Sequence, residues 1–297
     1  MELSQKGNRI WLEFDSSSDL LDFVSNPKFR KPGSPSVSRA HPDKYQGLKF
    51  YGTENFGEAT DLMKFGWSEG RERISKFLVD IQKLVMSYLP ETEIHYDVVG
   101  DNLDIGAFLS GEPECWQSFR ETEEFKQTAA GKIIHITVNI CAAWFYEPEA
   151  YFARGAAGVA LVDALERMGH RVIMDAIATI GGYDRKSYAE KFLETRIRVK
   201  NANEGVQLDK LAFLFAHASV LRRILFAAWE NLPPPIRDTF NIQEFGSYGH
   251  VERVPEEDQG DILVDGLLDN KYQDMHTLSQ WVLERLSEQG ILLREEV

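Results

Sequence analysis

The chain is expected to be an α/β protein with a Rossmann-like, mainly parallel sheet flanked by helices, and three consecutive stretches carry that expectation. KIIHITVNICAAWF, beginning at Lys132, is apolar and β-branched but too short for a membrane helix. RGAAGVALVDALERMGH, from Arg154, is alanine-rich and helical in pattern, and RVIMDAIATIGG, from Arg171, is a second apolar run. Strand, helix and strand in that order make a βαβ unit. Such units bury parallel strands, and ligands of open α/β sheets gather at the carboxyl ends of those strands, here near Asn139–Ala143 and Ile180–Tyr183.

The other elements follow in order. DSSSDLLDFVSN reads as a short capped helix that stops before Pro27. FRKPGSPSVSRAHPDKYQG is rich in Pro, Ser and Gly and reads as a flexible surface loop near residues 29–47, with Arg30, Lys31, Arg39 and Lys44 forming a local basic patch. Ile74, Phe77, Leu78 and Ile81 recur at helical spacing in the run that Pro90 ends. Residues 1–90 are therefore expected to be a mainly helical region, and 91–297 the Rossmann-like domain. In the second part EIHYDVVG reads as a strand, and ETRIRVKNANEG alternates like a strand with one exposed face. SVLRRILFAAWENLPPP is a helix halted by prolines, GDILVDGLLD a short buried strand, and TLSQWVLERLSEQG a helix closed by Gly290.

Composition narrows the function. The chain has 297 residues with a formal charge of −14, which argues against broad nucleic-acid binding, since that mode needs clustered Lys and Arg on phosphates. Only the basic loop is open to such a partner. Cys115 and Cys141 are the only cysteines and lie in no zinc-type spacing. With no apolar run of about 18 residues and no signal-peptide pattern at the N-terminus, the expected location is the cytoplasm, away from membranes. GxSxG, HExxH, P-loop and kinase patterns are all missing, so no cofactor is expected.

Several residues are candidates for chemistry. Asp97, Asp101 and Asp104 follow a strand and could hold a divalent cation, although in a chain with 47 acidic residues helix capping and solvation are the simpler explanation of acids there. His217 interrupts an apolar run ahead of Arg222 and Arg223, so it must find a core partner or line a ligand cavity. Arg154 could bind an anion at the start of its helix or serve packing and a salt bridge. At the end of the leading strand, Asn139, Cys141 and Ala143 alternate, and ILVDG places Asp265 at the end of a later strand.

That last pattern resembles a von Willebrand factor A-like domain. The resemblance implies a divalent-metal site built from an Asp-x-Ser-x-Ser loop and a Thr-Asp-Gly turn. Here Asn139, Cys141 and Ala143 stand where the hard oxygen ligands would be, so the implied site is degraded. VVGDNLDIGAFLSGEPECW, RGAAGVALVDALERMGHRV and LAFLFAHASVLRRILFAAWE also resemble an uncharacterised family of bacteriophages and mobile elements, which implies a phage-linked origin in host cytoplasm or virion. The functional expectation is a phage-associated protein-binding or assembly adaptor whose partner is a protein, with self-association open. The alternatives are a metal-dependent hydrolase or phosphotransferase using Asp97, Asp101, Asp104 and His217, and a virion structural component.

Overall fold

A computed structural model describes residues 1–30, 36–41, 48–86, 93–100, 102–120, 131–184, 188–242, 248–267 and 275–291. Its first element differs from expectation. β1 (Glu2–Lys6) and β2 (Arg9–Phe14) form an antiparallel hairpin whose two-residue turn is Gly7–Asn8, with Gly7 at φ 62°. Glycine supplies that left-handed conformation without steric cost, and a two-residue turn of this kind matches the twist of the strands. β2 buries Ile10, Leu12 and Phe14 and runs parallel to β8 (Ala189–Lys200), from Arg9 opposite Phe192 to Phe14 opposite Ile197. The N-terminal region is thus not only helical, because its first two strands belong to the central sheet.

Helices then follow as the spacing predicts. In α1 (Ser17–Ser25) the Ser16 side chain accepts the Asp19 amide, and Leu20, Phe23 and Val24 pack down on β2 and β8. After α2 (Leu48–Tyr51) and α3 (Phe56–Phe65), α4 (Ser68–Met86) buries Ile74, Phe77, Leu78 and Ile81. EIHYD, expected to open the Rossmann-like part, instead forms β3 (Glu93–Asp97) of a separate three-stranded sheet. Its partners are β4 (Asn102–Leu103) and β5 (Trp116–Arg120), in the order β3-β5-β4, and α5 (Ile105–Leu109) lies between them in sequence.

The βαβ unit is present. β6 (Ile133–Asn139) and β7 (Arg171–Asp184) are parallel neighbours, from Ile133 opposite Arg171 to Asn139 opposite Ile177, and α6 (Pro148–Arg167) connects them. α6 starts earlier than the alanine run because Pro148 occupies its first turn, where a missing N–H does no harm. Leu161, Val162 and Leu165 are fully buried, each worth roughly 1.5–3 kcal/mol. Gly155 lets α6 approach the backbone of Ala216, where a Cβ would sit 2.5 Å from the Ala216 nitrogen. β8 is antiparallel to β7, as the short link between them requires, so the sheet is mixed rather than mainly parallel. β9 (His250–Val251) pairs with the end of β7, and β10 (Ile262–Val264) lies parallel beside β6. The central path is β1-β2-β8-β7-β6-β10.

α7 (Leu208–Ala216) is followed by a π-helix (Val220–Leu225), α8 (Phe226–Glu230) and α9 (Pro234–Thr239), and α10 (Met275–Glu288) closes the described chain. Alternation gives the sheet two unlike faces. Ile136, Val138, Met174, Ala176, Leu193 and Ile197 point to the helical layer and are buried. The opposite face carries His135, Thr137, Asp175, Glu194, Arg196 and Arg198, and the segment between β9 and β10 crosses it. No described helix is long and apolar enough to cross a membrane; one bent pair, Leu208–Ala216 with Val220–Glu230, passes on length and composition together, and its side chains are mostly buried in the core.

Candidate functional site

At the carboxyl ends of β6 and β10 the structure brings together four of the candidate residues. Asn139 is buried and its Oδ1 accepts the Cys141 amide at 3.0 Å; Gly266, next to Asp265, packs against the Asn139 side chain. Cys141 is buried with its thiol toward the Thr179 carbonyl, and burial pushes its pKa up to about 12. Arg154 is buried as well. Its Nη1 donates to the Cys141 carbonyl and its Nη2 to the Phe215 carbonyl, both at 3.1 Å, so it ties the end of β6 to the end of α7.

His217 lies beyond α7, apart from that cluster. Its Nδ1 is 2.8 Å from Ser219 Oγ, and its ring stands edge-on to Trp67 with centroids 4.7 Å apart. Burial lowers its pKa to about 4, so the ring is a neutral core group.

The two arginines after His217 do more than the sequence indicates. Arg223, fully buried, donates to Thr53 Oγ1 and to the carbonyls of Ser38, Ala40, Thr53 and Glu54. Arg222 donates through Nη1 to the Phe50 carbonyl and through Nη2 to those of Ala143, Trp144 and Tyr146. The planar guanidinium fork suits such multiple acceptors. Residues 143–146 are thereby clamped from inside while Trp144 and Phe145 point outward, 67% and 57% exposed.

The remaining candidates are placed as follows. Asp104 caps α5, accepting the Gly106 and Ala107 amides, the Tyr96 hydroxyl and the Gln117 side-chain amide; the Ala107 amide first, and then these others, hold its carboxyl below the usual range. Asp97 accepts the Val98 amide, and Asp101 lies outside the described residues. Of the basic loop, Lys31 and Lys44 also lie outside them. Arg30 and Arg39 each come within 3.9 Å of the buried Glu230 carboxylate, and Arg39 donates to the Val24 carbonyl and covers the Phe56 ring. Both turn inward. Among the described residues, no three His, Cys, Asp or Glu side chains are grouped to hold a metal ion.

The face of the sheet away from the helical layer, which the alternation of ETRIRVK predicts to be exposed, holds a charge network. Asp175, 0% exposed, meets His135 Nε2 at 2.9 Å and Arg198 at 2.5 Å; burial alone would raise its pKa, but these hydrogen bonds outweigh it and hold the carboxyl below its ordinary value. Next to it, Arg196 Nη2 donates to Glu194 Oε1 at 3.1 Å and to Asp258 Oδ1 at 2.5 Å, and Arg9 reaches the other Asp258 oxygen and Glu257. Glu194 is 2% exposed, and burial, reinforced by the neighbouring Asp258 charge, raises its pKa to about 7. The E-x-R-x-R spacing of Glu194, Arg196 and Arg198 marked a charged strand face; that residues 252–260 cover it was not visible locally.

Residues 4–292 match the model of one family, described as a domain of unknown function, DUF7192. No curated protein and no solved structure matches the chain. With nearly all of its length covered by that model, the chain belongs to the DUF7192 family.

Proposed function

We propose that this chain is a protein-binding adaptor that docks its partner on the loop at the carboxyl end of β6. The observation that carries this reading is the pairing of two exposed aromatic side chains, Trp144 and Phe145, with a buried guanidinium, Arg222, that fixes their backbone through three carbonyls. Large aromatic groups supply much of the binding energy at protein interfaces, and a backbone already held in place loses little entropy on association. Further support comes from Ile105, Phe108 and Leu109, which expose apolar surface on α5.

The von Willebrand factor A-like reading of the sheet draws support from the parallel adjacency of β6 and β10, which end at Asn139 and ahead of Asp265. The antiparallel β8 departs from it. A phage-linked assembly role follows from the resemblance of residues 97–229 to the mobile-element family. The hydrolase reading draws less support, because Asp104 already has its acceptors engaged in capping.

The test is comparative affinity purification from native cells with the wild-type chain and a Trp144→Ala, Phe145→Ala variant whose circular dichroism and thermal transition match wild type. Loss of a reproducible, stoichiometric partner in the variant supports the reading. Retention of the same partner at the same yield refutes it.

A further inference from the structure

A second site lies on the other face of the sheet. Residues 251–256 and Gln259 roof a cleft of about 840 Å³ whose floor includes Thr179 and Glu194. These two residues stand directly opposite each other on β7 and β8, and each is 2% exposed. Among the described residues no donor reaches Glu194 Oε2, and Thr179 Oγ1 has no hydrogen-bond partner. A buried carboxyl oxygen left in this way costs more than a typical hydrogen bond contributes, and such groups mark a place where something else binds.

We propose that this cleft binds a small organic cation of the alkylammonium type, its N–H groups donating to Glu194 Oε2 and Thr179 Oγ1 and its carbon chain lying on Phe192, Val254 and Leu263. The walls fit that chemistry. The crossing segment contributes Glu252, Arg253 and Glu256 to the lining, β2 contributes Arg9, and Asp265 closes the β10 side. Glu257 and Asp258 engage Arg9, Arg196 bridges Glu194 and Asp258, and Glu13 stands opposite Arg196. Asp175 and His135 are satisfied by Arg198 and each other. Carboxylates therefore outnumber guanidiniums around the cleft. Arg196 already occupies Glu194 Oε1, which leaves one carboxylate oxygen and one hydroxyl, too few hard ligands for Mg²⁺ or Ca²⁺.

Without a ligand, burial first and then the neighbouring Asp258 charge favour the protonated form of Glu194. When the ammonium group arrives with its own protons, Glu194 releases one proton to solvent and becomes the counter-ion. Binding and deprotonation are linked.

Isothermal titration of the full chain with n-butylamine, 1,5-diaminopentane, spermidine and, separately, MgCl₂ tests the site. The expected result is saturable binding of at least one amine, about tenfold tighter at pH 8 than at pH 6, with a proton release at pH 6 seen as a dependence of the heat on buffer ionisation. Glu194→Gln, which mimics the protonated acid and keeps the fold, should weaken binding more than tenfold, and Thr179→Val should weaken it severalfold. Absence of saturable binding by every amine, pH-independent affinity, undiminished affinity in Glu194→Gln, or equal competition by Mg²⁺ would each overturn the proposal.

Discussion

Replacing Glu194 by Gln should change how stability depends on pH, in a direction and size fixed by its surroundings. Buried beside Asp258, Glu194 has its pKa raised from 4.5 to about 7, so the folded state holds that proton more tightly than the unfolded state does. Its contribution is fully present below pH 4.5 and is lost as pH rises through about 7. At 1.36 kcal/mol per pH unit the gap amounts to about 3 kcal/mol. Glutamine keeps the neutral shape and cannot ionise. Urea unfolding of both proteins from pH 4 to pH 8 should therefore show similar stabilities at the acid end and a Gln variant favoured by about 3 kcal/mol at the alkaline end. His217 supplies the opposite slope: with its pKa lowered to about 4 by burial, its contribution is present above the ordinary imidazole value and lost as pH falls toward 4. The difference curve for His217→Gln should accordingly run the other way. A flat difference curve for Glu194→Gln, or one that favours wild type at high pH, would mean that Glu194 is solvated and that residues 252–260 do not cover it.

Arg223→Leu should cost about 3–5 kcal/mol, because it strands five acceptors in the 38–54 region, and Arg223→Lys should recover only part of that loss since an ammonium group cannot span them; chemical denaturation measures both. Cys141 should resist a thiol reagent at pH 8 in the native chain and react at once in denaturant, the contrast expected of a buried thiol with its pKa near 12; rapid native labelling at Cys141, located by peptide mapping, would contradict its placement.

How much of this was legible in the sequence depended on the range of the signal. β6, α6 and β7 are each apolar and internally periodic, and their order leaves few geometries open, so Ile133–Asn139 and Arg171–Asp184 were readable as neighbours. The N-terminal hairpin was readable in principle from Gly7–Asn8 and the alternation of RIWLEF, but six residues with charges on one face carry a weak pattern. Glu194, Arg196 and Arg198 were recognisable as one strand face. Their cover was not, because Asp258 reaches Arg196 from 62 residues away and no local periodicity records that contact. Arg222 and Arg223 posed the same difficulty, since their partners are backbone carbonyls of loops and carbonyls have no signature in a sequence.

The parallel pairing of β2 with β8 also sets a timetable for the chain as it is made. Arg9 and its strand partner Phe192 are about 180 residues apart, so at typical synthesis rates of ~5–20 residues per second the hairpin waits on the order of ten to forty seconds before its neighbour leaves the ribosome. During that interval β2 offers an unpaired edge. Arg9 and Glu13 place opposite charges along its length, and Glu2 and Lys6 do the same on β1, the kind of side chains that discourage edge-to-edge pairing with another nascent chain. The charge pattern of the first fourteen residues thus serves the newborn chain as well as the finished sheet.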